Sequence, residues 1–222
     1  MSVAKWSSIH QEITQASKKH KRPITIVAVS KGQGPEKIHQ ILQAPHAPTI
    51  FGESYLNEAL LKRESLEVHD LQKIDWHFIG RLQSRKIPEI AAQFSCLHTV
   101  GRSKEIEMIK EVGKTPKFFL QINTSREKQK NGFTPEETPE AIALCEELGL
   151  SESLLGLMTL PSPLDEVGEK NLREEFTRLR KLRDQHLPGK FLNMGTSGDY
   201  SIAIDEGADW IRLGTVIFGE RS

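Results

Sequence analysis

The sequence predicts an α/β protein whose eight strand–helix units close into a single (β/α)8 TIM barrel, preceded by an extra N-terminal helix. Apolar, β-branched runs alternate with amphipathic segments along all 222 residues, and most connections are short. Such alternation favours a parallel sheet with right-handed crossovers. Eight units in this length fit a barrel and leave no residues for a second domain. A doubly wound open sheet is the alternative, but no Gly-x-Gly-x-x-Gly follows the first strand.

We therefore expect one domain over residues 1–222, with a leading helix over 1–20 and the barrel over 24–219. Trp6, Ile9 and Ile13 form the apolar stripe of the leading helix. The predicted strands cover 24–31, 49–53, 76–80, 96–100, 118–123, 154–160, 191–195 and 210–217. The predicted helices cover 4–20, 35–42, 55–67, 84–93, 103–112, 136–148, 169–186 and 199–206.

Glycine, proline and charge set the predicted boundaries between these elements. Pro35 suits a first helical turn, and Gly149 is a plausible C-cap for the helix over 136–148. The segments 124–134 and 161–170, rich in charge, proline and glycine, are expected to be flexible loops.

Composition excludes several classes of function. Lys and Arg total 30, as do Asp and Glu, so no net charge draws the chain to nucleic acid or an anionic membrane. No apolar run could span a bilayer, and the polar N-terminus does not read as a secretory signal. Cys96 and Cys145 lie in no CxxC or Cys/His motif, which is typical of buried thiols in the cytoplasm.

The most informative residue is Lys31, at the end of the apolar strand ITIVAVSK (24–31). An ammonium in such a place must be paired, or its pKa must fall so that it becomes a nucleophilic amine. A lysine of that kind supports Schiff-base chemistry. The alternative is a lysine whose head extends into water.

The carboxyl ends of the strands form the active face of such a barrel. Collecting them predicts a polar ring around Lys31, made of Glu53, Ser54, Gly80, Arg81, Asn123, Thr159, 195–197 and 212–215.

The last two units carry the pattern of a phosphate site. Ser197 follows strand seven in MGTSGD (194–199), and Gly214 and Thr215 follow Arg212 on strand eight. Glycine lets backbone N–H groups approach phosphate oxygens, and the hydroxyls add donors. Ser197 and Asp199 are both N-cap candidates for helix 199–206; capping is the better explanation of Asp199, whereas the Gly214-Thr215 pair favours phosphate binding for Ser197.

Arg212 interrupts an apolar strand. Either it pairs with Asp205 or Asp209, or it aims a fixed donor at a ligand atom. A lysine, an arginine and a phosphate cup together suit a phosphorylated aldehyde. Pyridoxal 5′-phosphate (PLP) fits, with its ring nitrogen against Arg212.

The sequence resembles the pyridoxal-phosphate homeostasis protein family of the YggS/PROSC type from about residue 24 to the C-terminus. The matching segments are AVSK (28–31), FGESY (51–55), WHFIGRLQ (76–83), QIN (121–123), GLM (156–158), MGTS (194–197) and RLGTVIFG (212–219).

This resemblance implies a barrel like the N-terminal domain of alanine racemase, with PLP as cofactor. Lys31 would form the aldimine, Arg212 would face the pyridine nitrogen, and Ser197, Gly214 and Thr215 would hold the phosphate. Three residues depart from the family pattern: Ser54 and Arg85 each replace an Asn, and Thr196 replaces a Met. Ser54 is still expected to bind the cofactor, although it is shorter than the family's Asn.

The implied function is intracellular PLP (vitamin B6) homeostasis: the protein would hold PLP on Lys31 without robust catalysis, so no residue is assigned as catalytic. The expected partners are PLP and PLP-dependent apoenzymes, and the expected state is a monomer. One alternative is a PLP-dependent amino-acid racemase or eliminase of fold type III. That chemistry needs a second base, and the two tyrosines, Tyr55 and Tyr200, lie in no further domain. Another alternative is a PLP-free Schiff-base aldolase.

Four other residues receive a structural interpretation. His77 and His98 alternate with apolar neighbours, which predicts packing inside the barrel with satisfied hydrogen bonds. Lys128 and Lys130 are expected to be solvated, with a role in cofactor transfer as the less favoured reading. No spacing of His, Asp and Glu predicts a metal site.

Overall fold

The computed structural model describes residues 2–127 and 129–220 and contains a closed barrel of eight parallel strands. Strand order follows the sequence, and the barrel closes where the first strand pairs with the last, from Thr25 opposite Trp210 to Ala28 opposite Leu213. The strands are β1 Thr25–Val29, β2 Ile50–Glu53, β3 Asp75–Phe78, β4 Cys96–Val100, β5 Lys117–Gln121, β6 Leu154–Met158, β7 Phe191–Asn193 and β8 Trp210–Leu213.

Helices connect the strands and cover the outside of the barrel. They are α1 Ser2–His20, α2 Pro35–Leu42, α3 Leu56–Ser65, α4 Val68–Leu71, α5 Ile87–Gln93, α6 Ser103–Glu111, α7 Thr138–Glu147, α8 Leu164–His186, α9 Tyr200–Asp205 and α10 Thr215–Phe218, with a 3-10 turn at Ser84–Lys86. In the described part of the chain, no helix combines the length and apolar character needed to cross a bilayer.

Most of the core lies between the strands and the helices. Phe51, Leu97, Phe118 and Ile211 are fully buried in one apolar cluster with the inner faces of the helices. Trp6, Ile9 and Ile13 of α1 join this cluster, which confirms the predicted stripe. A smaller cluster, Cys96, Phe119 and Met158 with Trp210, is separate from it.

The end of strand eight differs from the prediction. We expected a strand over 210–217, but β8 ends at Leu213 and residues Thr215–Phe218 form α10. The run Thr-Val-Ile is β-branched and reads as strand. It becomes helical because the ladder with β1 extends only to Ala28 opposite Leu213, so no strand continues beside it.

The predicted loop at 161–170 is also wrong in part, because α8 already begins at Leu164. Asp165 and Glu166 made the segment look like a loop, yet acidic residues stabilise a first helical turn. Gly168, at φ 74°, interrupts the helical backbone there. The short helix α4 was not predicted at all.

Other boundaries agree within a few residues. Gly149 has a φ of 68° just after α7, which confirms the C-cap. The described residues of 124–134 contain no helix or strand, and Phe133 returns to the end of β5, where its N–H donates to Gln121 O at 2.9 Å.

Candidate functional site

The candidate site is a cleft of about 230 Å³ at the carboxyl ends of the strands. It brings together five of the six predicted binding residues: Lys31, Ser197, Arg212, Gly214 and Thr215. The other lining residues are Val29, Ile79, Met158, Leu160 and Thr196. We refer to it as the Lys31 cleft.

Lys31 lies in the turn that follows β1, and its side chain is partly buried. Carboxylates hold this turn on both sides of the lysine. Ser30 Oγ donates to Glu53 Oε1 at 2.6 Å, and the backbone N–H of Gly32 donates to Glu58 Oε1 at 2.5 Å. The position of Lys31 is therefore fixed by its neighbours' hydrogen bonds to β2 and α3.

Lys62 of α3 lies behind this turn and was not recognised in the sequence. Its ammonium donates to Ser30 O at 2.7 Å, Glu53 Oε1 at 2.7 Å and Glu58 Oε1 at 2.6 Å. Burial raises the pKa of Glu53, while Lys62 acts in the opposite direction. The (i, i+4) spacing of Glu58 and Lys62 was the available signal. The same spacing is equally typical of an exposed ion pair on one helix face, so it did not reveal a buried cluster.

The two loops predicted to bind phosphate are directly connected. The backbone N–H of Gly214 donates to Ser197 Oγ at 3.0 Å. Gly195 has a φ of 99°, and a Cβ there would lie 2.7 Å from the side chain of Ala203, so this turn requires glycine. Thr215, the first residue of α10, lines the same cleft as Ser197, and the first N–H groups of a helix have no acceptor within it.

Asp199 occupies the N-cap position of α9, as predicted, but makes no side-chain cap bond to the helix. Its carboxylate instead accepts hydrogen bonds from the N–H and the Oγ1 of Thr196. Burial raises the pKa of Asp199, and these bonds oppose the shift. The residue thus holds the turn that presents Ser197.

Arg212 is buried and its guanidinium bonds to neutral oxygens. It donates to Thr159 O at 2.9 Å, to Asn193 O at 3.2 Å and to Asn193 Oδ1. Burial lowers the pKa of Arg212 to about 10, so the group remains charged at neutral pH.

The alternative pairing of Arg212 with Asp205 or Asp209 is not observed. Asp205 pairs with Lys19, His20 and Arg173. Asp209 pairs with Arg22 and Arg183 instead. Asn193, which holds Arg212, was missed because an asparagine in a strand gives no sign of which partner it will meet.

Ser54, the sixth predicted residue, lines a neighbouring cleft of about 250 Å³. Tyr55, Phe78, Arg81 and Lys86 also line this Ser54 cleft. Backbone packing brings the ends of β2 and β3 together here. A Cβ on Gly80 would lie 2.0 Å from Ser54 O, so only glycine fits.

Several residues of the predicted ring have other roles. Thr159 is buried and donates to Ile122 O at 2.9 Å. Asn123 Nδ2 donates to Glu127 O at 2.8 Å, within its own loop. Of the other two departures from the family pattern, Thr196 lines the Lys31 cleft, whereas Arg85 lines a groove with Arg81 and Arg102.

The barrel interior brings His77 and His98 together, and both are hydrogen-bonded as predicted. Their rings bond to each other through His77 Nδ1 and His98 Nε2 at 2.9 Å. Cys96 lies with them, so the expectation that no cysteine joins a Cys/His cluster is wrong in three dimensions. Burial raises the pKa of the Cys96 thiol well above its usual value, which disfavours the thiolate that binds metals.

Lys130 and Tyr200 do not line the Lys31 cleft. Lys130 pairs with Glu127 at 2.6 Å and donates to Ser162 Oγ at 3.0 Å, whereas Lys128 lies outside the described residues. Tyr200 bonds through its hydroxyl to Glu12 of α1 at 3.0 Å.

The polar side chains that line the Lys31 cleft are cationic or neutral. Its described polar side chains are an amine, a guanidinium and hydroxyls, with no carboxylate, imidazole or phenol among them. Such a donor set suits an anionic ligand that carries a group able to react with an amine.

Known proteins are similar to this chain along almost its whole length. The family described as "Alanine racemase, N-terminal domain" matches residues 6–222. The pyridoxal phosphate homeostasis protein of Pseudomonas aeruginosa is 37% identical over 99% of this chain and 94% of its own length. PipY of Synechococcus elongatus, solved with PLP bound, is 26% identical with a TM-score of 0.77, covering 99% of this chain and all of its own. Without PLP, the TM-score to PipY is 0.80.

The chain therefore belongs to the pyridoxal phosphate homeostasis proteins, within the family of the alanine racemase N-terminal domain.

Proposed function

We propose that this protein binds PLP in the Lys31 cleft and serves intracellular PLP homeostasis by holding the cofactor reversibly. One observation carries the proposal: an amine, a buried guanidinium and a two-loop hydroxyl cup converge on a single cleft. Each group matches one part of PLP, namely the aldehyde, the ring nitrogen and the phosphate.

The phosphate would lie between Ser197 and Thr215. The hydroxyls of both residues and the first N–H groups of α10 supply donors without a compensating negative charge in the cleft. Ser197 Oγ accepts from the Gly214 N–H, so its own O–H could donate to the phosphate. This cup would supply most of the affinity.

The aldehyde would react with Lys31. The amine of Lys31 would hold the carbonyl carbon through a C=N bond, with the carbonyl oxygen leaving as water. Hydrolysis reverses the reaction and releases the cofactor. A lysine held in a rigid turn at the cleft suits such storage and release.

Arg212 would hold the ring nitrogen in its unprotonated form. A guanidinium donates hydrogen bonds and retains its proton at neutral pH, so it offers the nitrogen no proton. Bound PLP supplies an electron sink, and an unprotonated ring nitrogen weakens it. The arrangement thus favours holding the cofactor over using it.

Catalysis of racemisation would need a second acid or base. Among the described residues that line the cleft, Lys31 carries the one amine, and no carboxylate, imidazole or phenol accompanies it. Tyr55 lines the Ser54 cleft, and Tyr200 is bonded to Glu12. We propose a non-enzymatic role on this basis.

We further propose that the chain acts as one PLP-binding barrel domain, as a monomer in the cytoplasm, and passes PLP to apoenzymes. The cysteines Cys96 and Cys145 are free and buried, which suits a reducing compartment. The proposal of a monomer rests on a barrel whose core is covered by its own helices.

The test is the visible absorbance spectrum of the purified protein loaded with PLP, before and after borohydride. We expect an aldimine band that borohydride bleaches, and a reduced adduct on the peptide that contains Lys31 by mass spectrometry. Lys31→Ala should lack both, whereas Lys104→Ala, on the exposed face of α6, should keep both.

A wild-type protein that stays colourless after addition of PLP would refute the proposal and favour the PLP-free aldolase. Turnover of an amino acid that is lost in Lys31→Ala would instead favour the racemase or eliminase.

A further inference from the structure

Five polar side chains form one hydrogen-bonded series through the barrel interior, which we call the polar relay. It starts at Arg212, which bonds to Asn193 Oδ1. Asn193 Nδ2 lies 2.7 Å from His98 Nδ1, and His98 Nε2 lies 2.9 Å from His77 Nδ1. His77 Nε2 lies 3.2 Å from Asp75 Oδ2. The relay thus joins the Lys31 cleft to the amino-terminal end of β3.

The chemistry of its first member fixes the direction of every bond. A guanidinium can only donate, so the oxygen of Asn193 accepts and its NH2 group must face His98. His98 Nδ1 therefore accepts, which places the ring proton on Nε2. By the same reasoning, His77 Nδ1 accepts from His98 Nε2, and His77 Nε2 carries the proton that is donated to Asp75.

The middle of the relay is buried, and its far end at Asp75 is exposed. Asn193 and His98 are fully buried, and His77 is 3% exposed. The Asp75 side chain, by contrast, is 50% exposed. Burial, together with His77 and Arg212, lowers the pKa of His98 well below its usual value, so this ring is neutral.

Packing keeps the two rings in this orientation. Trp210 stacks on His77 with ring centroids 5.7 Å apart and meets His98 edge-on at 6.0 Å. Phe119 packs on His98 at 5.2 Å. These contacts favour one orientation of each ring, and the hydrogen bonds then decide which nitrogen carries the proton.

Asp75 gives the relay a negative end. Its hydrogen bond with His77 lowers the pKa of this carboxyl despite some burial, so it is anionic at neutral pH. Ser95 Oγ donates to its other oxygen. Aligned hydrogen bonds polarise one another in a low-dielectric interior, so the charge of Asp75 strengthens the acceptor that Asn193 presents to Arg212.

We propose that Asn193, His98, His77 and Asp75 are positioning residues that orient Arg212 toward the ligand ring and stabilise its charge without placing a carboxylate beside it. A carboxylate in direct contact would form an ion pair and reduce the charge available to the ligand. The role of the relay in PLP binding rests on the proposed function, whereas its bond directions do not.

The first test is therefore made on the protein without PLP. Nitrogen-15 NMR of the histidine side chains reports which ring nitrogen carries the proton, with signals assigned from His77→Gln and His98→Gln variants. We expect both rings in the Nε2–H form. A wild-type His98 protonated on Nδ1 would overturn the proposal, and this readout is made on the wild-type protein itself.

Asn193→Asp then inverts the relay with almost no change of shape. A carboxylate at 193 can only accept, so His98 must place a proton on Nδ1, and its nitrogen shifts should change accordingly. Asn171→Asp makes the same chemical change on the exposed face of α8 and should leave both rings as they are. Unchanged His98 shifts in Asn193→Asp would contradict the assigned directions.

The effect on the ligand is measured by PLP titration, following the visible band. We expect Asn193→Asp to weaken PLP binding about tenfold, the equivalent of one good hydrogen bond. Asp75→Asn, which keeps the shape and removes the charge, should weaken it about threefold and leave both tautomers unchanged. Wild-type affinity in both variants would refute the positioning role, whereas a wild-type protein that binds no PLP would refute the proposed function alone.

Discussion

Lys62 and Arg212 are two buried cations at the same end of the barrel, each 5% exposed, yet they are held in opposite ways. Lys62 contacts two carboxylates, those of Glu53 and Glu58. Arg212 contacts carbonyl and amide oxygens of Thr159 and Asn193. In the described part of the chain, no ion pair involves Arg212.

The difference distinguishes Lys62, whose charge stabilises the fold, from Arg212, whose charge remains available to a ligand. The charge of Lys62 is neutralised by its neighbours, so it stabilises the turn that carries Lys31 and offers little to a ligand. Neutral acceptors satisfy the hydrogen bonds of Arg212 without cancelling its charge. The following predictions test this comparison, from the largest expected effect to the smallest.

Replacing Lys62 should destabilise the fold most. Lys62→Met leaves the buried Glu53 without its cation, and we expect the free energy of unfolding at neutral pH to fall by about 3 kcal/mol, measured by urea denaturation. Adding Glu53→Gln should recover part of this loss, because the uncompensated charge is then absent.

This loss should also depend on pH. Burial raises the folded pKa of Glu53 above its ordinary value of 4.5, and removing Lys62 raises it further. The folded variant then binds this proton more tightly than the unfolded chain, so its stability falls as pH rises through that window. A loss that is equal at pH 5 and pH 8 would show that Lys62 does not act on the charge of Glu53.

Arg212→Lys tests whether geometry matters as well as charge. One ammonium cannot reach Thr159 O and Asn193 Oδ1 as the flat guanidinium does, so buried oxygens lose donors. We expect the free energy of unfolding to fall by about 2 kcal/mol in urea denaturation. Arg102→Lys, at a half-exposed side chain, is the matched control. If the two variants were equally stable, the claim that the geometry of the Arg212 guanidinium matters would be wrong.

Ser197→Ala and Ser54→Ala test which of the two clefts binds the ligand. Ser197 lines the cleft with Arg212, whereas Ser54 lines the neighbouring one. We expect the Kd for PLP to rise about tenfold in Ser197→Ala, for one lost hydrogen bond, and to stay unchanged in Ser54→Ala. A similar rise in Ser54→Ala would extend the site into the Ser54 cleft and support the family-based prediction for that residue.

Asp199→Asn should have the smallest effect. It removes the carboxylate whose charge most favours the charged form of Arg212, although the two groups form no ion pair. Since the amide oxygen can still accept from Thr196, we expect the free energy of unfolding to fall by about 1 kcal/mol or less.

The pH profile gives the sharper readout for this variant. Burial raises the folded pKa of Asp199, so the wild-type protein loses stability as pH rises above the ordinary value of 3.8, and the variant should lack that slope. If the free energy of unfolding fell about as much as in Lys62→Met, the charge of Arg212 would require a carboxylate for its stabilisation.

Most of the barrel was predictable because its strands and helices carry their own periodic patterns. It was also predictable that the residues at the ends of β1 and β8 meet, since parallel strands place their carboxyl ends at the same end of the barrel. The prediction failed at Thr215–Phe218, where a β-branched run becomes helix because no neighbouring strand remains to pair with it.

The sequence by itself determined the order of elements, the closed barrel and the residues that meet in the Lys31 cleft. Only the tertiary structure decided their partners: Lys62 behind the Lys31 turn, Asn193 beside Arg212, and Ser54 in a separate cleft. It also decided that His98 and His77 join Arg212 to Asp75. Periodicity records which face of an element is buried, but hydrogen bonds between distant strands depend on register and side-chain direction, which no local pattern encodes.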